Sequence, residues 1–221
     1  MAQKVSWIIQ KAFLESKRKA TAPAIGTTKY NALLGLVDTE QKAWESEPDT
    51  EWDSLYSLVT IGTVTATDTF DLDDTINYIS KREGDYVLVT NGTNTIPYQV
   101  VRPNQLYSLR STNACAQIGR TLKFSKAFVS TDSAFGYSIK IPSILYVDDI
   151  TLGTQFVQCD DSLYLVYAVA ATFCANDTVK AVLYDKLLAK AGQRMERMKQ
   201  ANSGQNEVIA TPWSPEGITW N

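Results

Sequence analysis

The acidic segment Asp71-Leu72-Asp73-Asp74-Thr75 has the clearest potential for chemistry in this sequence. Three carboxylates so close together can bind a divalent cation and support hydrolysis. The chain contains no histidine, the side chain that most often moves protons near neutral pH or completes a zinc site. The segment is also typical of a solvated loop at the end of a strand, and we favour that interpretation. A metal-dependent hydrolase or nuclease-like activity at residues 71–74 is the alternative.

Two further acidic pairs have simpler explanations. Asp160-Asp161 precedes an apolar run, where a carboxylate can accept hydrogen bonds from the free N–H groups that begin a helix. Asp148-Asp149 is expected in a turn before Ile150. The sequence has no glycine-rich phosphate loop and no Ser/His or Cys/His arrangement. We therefore predict no catalytic residue, no cofactor and no metal site, and thus a protein that is not an enzyme.

Composition limits the remaining classes of function. The 221 residues are 44% hydrophobic and carry a net charge of −3, which allows a real core and argues against a basic DNA-coating surface. No apolar run approaches the ~18 residues that would span a membrane, and the N-terminal stretch mixes charged with apolar residues, unlike a secretory signal. Cys115, Cys159 and Cys174 are an odd number at unrelated spacings. They predict reduced thiols in a protein made in the cytoplasm.

The strongest structural signal is a helical hairpin between Asp160 and Asn202. Apolar residues recur at helical spacing in its first half and again in its second, and turn-forming residues 176–178 separate the two. Such helices are antiparallel neighbours that must pack on other elements. The first predicted face consists of Leu163, Tyr167, Ala170 and Cys174, and the second of Val179, Leu183, Leu187, Ala191, Met195 and Met198.

Two more helices are predicted near the N-terminus, at residues 4–19 and 28–45. The first ends in Lys17-Arg18-Lys19, charges that complement the negative end of a helix dipole; contact with nucleic-acid phosphates is the alternative. Residues 59–157 then alternate in the manner of short strands. The segment Asn91-Gly92-Thr93-Asn94 predicts a hairpin turn with glycine at positive φ, and Pro142 favours a sheet edge or strand end.

The order of these elements predicts an α+β fold. We expect an α-helical bundle, made of the N-terminal helices and the C-terminal αα-hairpin, with an inserted β-rich subdomain and an extended C-terminal arm. The predicted parts are the N-terminal helices (residues 1–58), the β-rich insert (59–158), the helical hairpin (159–202) and the arm (203–221).

The arm, residues 203–221, has two prolines and no helical period, yet it carries large apolar side chains. Such a segment orders only against something else, and its anchors usually fill pockets on a partner. The predicted partner-binding residues are Trp213, Pro215, Ile218 and Trp220.

Three stretches together resemble the head–tail connector, or adaptor, proteins of tailed bacteriophages. They are KAWESEPDTEWDSLYSL (42–58), LKFSKAF (122–128) and residues 132–202, which end in MERMKQAN. The shared succession is strand, acidic glycine-containing loop, strand, Asp-rich cap, helix, turn and helix. The chain differs from the commonest version in having Ser162 where a proline often begins the helix, and in its long β insert.

The resemblance implies a structural virion protein of the neck, between capsid and tail, that forms a homo-oligomeric ring, usually dodecameric in this family. Its partners would be the portal protein above and a tail or nozzle protein below, with no membrane contact. During DNA ejection, double-stranded DNA would pass without sequence-specific binding, and a mildly acidic chain suits such a conduit. C-terminal arms in this family reach toward the portal or a neighbouring subunit. Another neck or tail-completion protein of the same virion is the second possibility.

Overall fold

A computed structural model describes residues 2–17, 22–80, 82, 84–106, 108, 113–175 and 178–209. Within them the chain divides into two compact units. One holds the described residues of 1–54 and 147–221, and the other is Leu55–Tyr146. A 3-10 turn, Asp53–Leu55, lies at the first boundary in the chain.

The first unit is helical. Its four long helices are α1 (Val5–Lys17), α2 (Thr28–Glu45), α4 (Ser162–Cys174) and α5 (Ala181–Ile209), where α3 is a single turn, Pro103–Leu106, in the other unit. A 3-10 turn, Thr178–Lys180, leads into α5. Helix α2 begins where the Thr27 hydroxyl accepts the Tyr30 N–H at 3.2 Å, as an N-cap should.

Helix α4 is the centre of the helical unit. It contacts α1, α2 and α5, and its side chains are buried on almost every side, as the hydrophobic character of the whole segment requires. Of the predicted face only Ala170 and Cys174 are buried, and Leu163 and Tyr167 are partly exposed. The prediction of one buried face is wrong, since Tyr164, Leu165 and Val169 are buried as well.

Helix α5 packs against α4 through part of its predicted face. Leu187, Ala191, Met195 and Met198 are buried, which confirms those positions. Val179 is 92% exposed because it lies in the 3-10 turn before the helix and not on the face that meets α4.

The second unit is a curled, mixed sheet of eight strands. The strands are β1 (Tyr56–Thr63), β2 (Thr69–Asp71), β3 (Ile76–Ile79), β4 (Tyr86–Thr90), β5 (Thr95–Val100), β6 (Ala114–Ile118), β7 (Thr121–Phe124) and β8 (Ser138–Leu145). Their order is β1-β8-β4-β5-β6-β7-β2, with β3 also paired to β8. Only β5 and β6 are parallel among these pairs. A core of its own fills this unit, including an edge-to-face cluster of Phe70, Tyr98, Phe124 and Phe128.

The predicted architecture, a helical bundle with an inserted β-rich subdomain, is wrong. The strands form one large sheet with its own hydrophobic core, and they are not a subdomain inserted into a helical bundle. The strand pairs that define this sheet join residues far apart in sequence. Tyr56 lies opposite Ile144, and Phe70 lies opposite Leu122. Local alternation shows that a strand exists and does not show which strand it will pair with.

Two local predictions in the sheet have clear outcomes. The hairpin turn at 91–94 is confirmed. Gly92 has φ +91°, and the side-chain oxygen Oδ1 of Asn91 accepts the N–H groups of Thr93 and Asn94. The sheet edge or strand end predicted for Pro142 is wrong, because β8 is an inner strand that continues past Pro142 to Leu145. Pro142 lies where one neighbour of β8 changes from β4 to β3, and an interrupted ladder tolerates a residue that has no N–H.

Candidate functional site

The acidic loop at residues 71–75 is folded around its own side chains. The Asp73 carboxylate accepts the Thr75 N–H at 2.9 Å and the Thr75 hydroxyl at 2.7 Å. The hydroxyl bond is the main reason that the pKa of Asp73 lies below its usual value, followed by the backbone bond. The loop is thus a side-chain-closed turn of the kind that aspartate favours.

Arg120 places a positive charge on the same loop. Its guanidinium donates to the carbonyl oxygens of Ile76 at 2.6 Å, Leu72 at 3.3 Å and Asp73, and it pairs with the Asp74 carboxylate at 3.2 Å. A cation at this point would be repelled by the guanidinium. Across the described part of the chain, no group of three or more His, Cys, Asp or Glu residues could hold a metal ion. Sequence reasoning missed Arg120, whose only signal is its place in the tight β6–β7 turn beside Gly119.

The other two acidic pairs hold the helical unit together. Asp161 is the N-cap of α4, accepting the Leu163 N–H at 2.9 Å, and it also pairs with Arg194 of α5 at 3.1 Å. This confirms the predicted cap. Asp149 pairs with Lys42 of α2 at 2.6 Å, and the hydrogen bonds that the Lys42 ammonium donates to Asp149 and then to Asp38 raise the pKa of Lys42 above its usual range.

Side-chain amides fix the irregular segments of the same unit. The Gln41 amide oxygen accepts the Gln158 N–H at 2.8 Å. Asn202 donates to the Glu51 carbonyl at 2.8 Å and accepts the Asp53 N–H at 3.0 Å, which attaches α5 to the segment before the sheet. The predicted end of the hairpin at Asn202, and with it the predicted start of the extended arm at residue 203, is wrong, because α5 continues to Ile209.

The cysteines are poorly suited to covalent chemistry. Cys115, Cys159 and Cys174 are all buried, and no disulfide joins any two of them. Burial raises the pKa of Cys115 to about 12 and raises the pKa of Cys159 as well. Thiols in this state carry little thiolate and are inert.

The most distinctive surface feature of the helical unit is the loop Ile150–Phe156. The Gln155 amide oxygen accepts the N–H groups of Thr151 at 2.8 Å and Leu152 at 2.6 Å. The loop carbonyls of Gly153 and Gln155 in turn accept the N–H groups of Ser6 and Val5, which begin α1. These bonds satisfy helix donors that would otherwise lack a partner, and they fix the loop.

This fixed loop exposes two large apolar side chains. Leu152 is 60% exposed and Phe156 is 58% exposed, and the Lys4 ammonium lies 5.9 Å from the centre of the Phe156 ring. Beside them is a groove of about 510 Å³. We call it the loop groove, and its lining residues are Ala2, Ser54, Asp148, Ile150, Gln155, Phe156, Val157 and Gln158. Periodicity did not reveal it, because glycine and threonine interrupt every pattern in this segment.

The sheet unit has a smaller cavity of about 360 Å³ on its aromatic cluster. Tyr98 and Phe128 form part of its wall, with Lys126 and Asp132 at its polar side. Burial, and secondly the charge of Asp132, raises the pKa of Tyr98. The aromatic groups of the cavity wall belong to the core of the sheet.

No family model and no curated protein matches this chain. Within the described residues, no helix has the length and apolar character needed to cross a membrane. The predicted partner-binding residues Trp213, Pro215, Ile218 and Trp220 lie outside the residues that the structure describes, as do Arg18 and Lys19 of the basic cluster. The loop groove is therefore the candidate binding site within the described residues.

Proposed function

We propose that this protein is a structural virion protein, a head-to-tail adaptor whose ring joins the portal to the tail and continues the DNA channel. The observation that carries the assembly role is the fixed loop that holds Leu152 and Phe156 in solvent. Apolar side chains grouped on a rigid surface beside a groove are typical of protein–protein contact sites. The neck position is inferred from the resemblance of residues 42–58, 122–128 and 132–202 to connector proteins.

The use of the carboxylates supports a structural role over an enzymatic one. Asp73 closes a turn, Asp161 caps a helix and Asp149 pairs with a lysine. Each has a role in holding the fold. General acid–base or metal chemistry instead needs carboxylates that converge on one open point.

The proposed partners follow from the same assignment. They are the portal protein, a tail or nozzle protein, and further copies of this chain, twelve in a ring. Trp213, Pro215, Ile218 and Trp220 are proposed as assembly contacts. The net charge of −3 suits the lining of a channel through which double-stranded DNA passes, since a basic lining would retain it.

The test is size-exclusion chromatography with light scattering of the full chain, alone and mixed with the portal protein of the same virus. We expect the mixture to give a complex in which the portal ring has gained several copies of the 24.5 kDa chain. Co-elution with tail protein but not with portal would identify a tail-completion protein instead. Absence of both complexes would contradict the assignment to the neck.

A further inference from the structure

The outer edge of strand β1 carries backbone groups that the sheet does not use. Among the described strands, β1 pairs with β8 alone. Leu58 lies opposite Pro142, which has no N–H and whose carbonyl accepts the Ser80 N–H at 2.8 Å. Opposite residues of an antiparallel ladder exchange both hydrogen bonds or neither, so the N–H and C=O of Leu58 point away from β8. Thr60, two residues farther along, points the same way. We call this side of the strand the β1 edge.

The edges of β2 and β3 are protected in ways that the β1 edge is not. Strand β2, at the opposite end of the sheet, is only three residues long and includes Asp71. At β3 the Arg120 guanidinium donates to the Ile76 carbonyl at 2.6 Å, and the Ile79 N–H donates to the Gln117 side chain at 2.9 Å. Short length, charge and cover are usual means by which proteins prevent another strand from adding to an edge.

The β1 edge is long and chemically open. The strand has eight residues, YSLVTIGT, with no charged residue and no proline. Its register shift falls late, between Thr60 and Gly62. The Leu58 side chain is 48% exposed, whereas Val59 and Ile61 pack against the core of the sheet. A strand that adds here would find backbone donors and acceptors together with an apolar side chain.

We propose that the β1 edge pairs, antiparallel, with the β1 edge of a second copy of this chain. Leu58 then lies opposite Leu58 of the second copy, and Thr60 of each copy lies opposite Tyr56 of the other. Both strands are uncharged, so no like charges meet, and the exposed leucines cover each other. The copy is a suitable occupant because it brings an edge with the same unused groups and the same alternation of side chains.

The symmetry of this contact limits it to two molecules. Each copy uses the same surface, so the contact is isologous and closes as a dimer with one continuous sheet. Five residues of each strand, Tyr56–Thr60, overlap over about 17 Å at ~3.4 Å per residue, which is short for a protein interface. The dimer should therefore be weak and should depend on concentration. It goes beyond the proposed function and does not rely on it.

Sedimentation of the full-length protein at rising concentration tests the contact. The wild type should show an equilibrium between monomer and dimer. Leu58→Lys and Leu58→Glu each place two like charges face to face, so each should weaken the dimer at least about tenfold. Both variants should melt like the wild type because Leu58 is 48% exposed. Ile118→Lys is the matched control, since Ile118 is 40% exposed elsewhere in the sheet unit, and it should associate like the wild type.

An equimolar mixture of Leu58→Lys and Leu58→Glu decides whether residue 58 faces its own copy. Opposite charges then meet across the twofold axis, and the mixture should form dimers although neither variant does so alone. A mixture that stays monomeric while the wild type pairs would show that the β1 edge meets a different surface, and it would refute the twofold contact. A wild type that remains monomeric would also overturn the proposal.

A disulfide trap measures the same geometry independently of affinity. Hydrogen-bonded opposite residues have Cα atoms about 5.5 Å apart, within the range that a disulfide spans. Leu58→Cys should therefore form a covalent dimer under mild oxidation, and the three native cysteines are buried and should contribute little. Ile118→Cys is the control. Equal rates of cross-linking for the two variants would count against the proposed register.

Portal binding separates this inference from the proposed function. If the wild type forms rings that Leu58→Lys leaves unchanged and no dimer is seen, the β1 contact is refuted and the adaptor role stands. If the Lys and Glu variants pair when mixed but the wild type never binds portal, the β1 contact stands and the adaptor role fails. Dimer loss in Leu58→Lys with normal portal binding would support both.

Discussion

Gly153 is the residue through which the exposed loop packs most closely on the helical unit. A Cβ atom added at this position would lie 2.0 Å from the Tyr30 hydroxyl oxygen and 3.1 Å from its ring carbon Cζ. Tyr30 lies on α2 and is only 4% exposed, so its ring has little room to turn aside. Gly153→Ala should therefore push the loop outward.

The expected cost follows from these contacts. Overpacking of a buried site costs about 1–3 kcal/mol. Outward movement would also weaken the bond from the Ser6 N–H to the Gly153 carbonyl, at 2.9 Å, worth about 1 kcal/mol. Together these predict a loss of about 2–4 kcal/mol and a fall in Tm of roughly 4–16 °C for a chain of this size.

Tyr30→Phe is the partner change that tests the cause. The Tyr30 hydroxyl is buried without a hydrogen-bond partner among the described residues, so its removal should be neutral or stabilising by about 1 kcal/mol. It also removes the atom nearest to the new methyl group. In the Tyr30→Phe background, Gly153→Ala should lose at least about 1 kcal/mol less stability than it does alone.

The assay is urea and thermal unfolding of the wild type, both single variants and the double variant. Gly192→Ala is the control, because its Cβ would meet nothing within 4 Å and a helical alanine should stabilise by up to about 1 kcal/mol. A Gly153→Ala variant as stable as the wild type would refute the packing argument. An equal loss of stability from Gly153→Ala with and without the Tyr30 hydroxyl would also refute it.

Further predictions concern the helical face, the acidic loop and the thiols. Leu187→Asp should cost about 3–5 kcal/mol in unfolding free energy by burying an unpaired charge, whereas Lys186→Asp on the exposed side should be nearly silent; equal melting of the two would show that the face is misassigned. Arg120→Met should destabilise by about 1–3 kcal/mol in urea titrations, since its charged donors serve the acidic loop; an unchanged midpoint would count against that clamp. Calorimetry with magnesium, manganese or calcium should detect no binding tighter than the millimolar range, and micromolar binding lost in Asp73→Asn would establish a metal site. A thiol reagent at pH 8 should not react with Cys115 until denaturant is added, because the pKa of about 12 leaves almost no thiolate; rapid native labelling would contradict its burial.

The features that could be predicted from sequence are those that depend on neighbours in the chain. The Asp161 cap needs only the free N–H groups two residues later, and the Gly92 turn needs only a positive φ within four residues. The buried face of α5 around Leu187 follows from helical spacing. These are local rules, and the structure obeys them.

The features that could not be predicted depend on distant pairs. The sheet is defined by pairing of β1 with β8 and β2 with β7, which no local pattern specifies. Arg120 binds a loop more than forty residues earlier, as its bond to Ile76 shows. Leucine and phenylalanine are residue types usually found in a core, so the sequence does not indicate that Leu152 and Phe156 are exposed. Their exposure follows from the loop conformation that the hydrogen bonds to Gln155 fix.

The central claim, that the chain forms a ring on a portal, is tested most directly by counting copies. Native mass spectrometry of the purified portal mixed with excess full-length protein gives the number of bound chains from the added mass. The adaptor role predicts one discrete complex, in which twelve 24.5 kDa chains are bound to each portal ring. A portal that gains no mass, while the added protein is folded by circular dichroism, would contradict it.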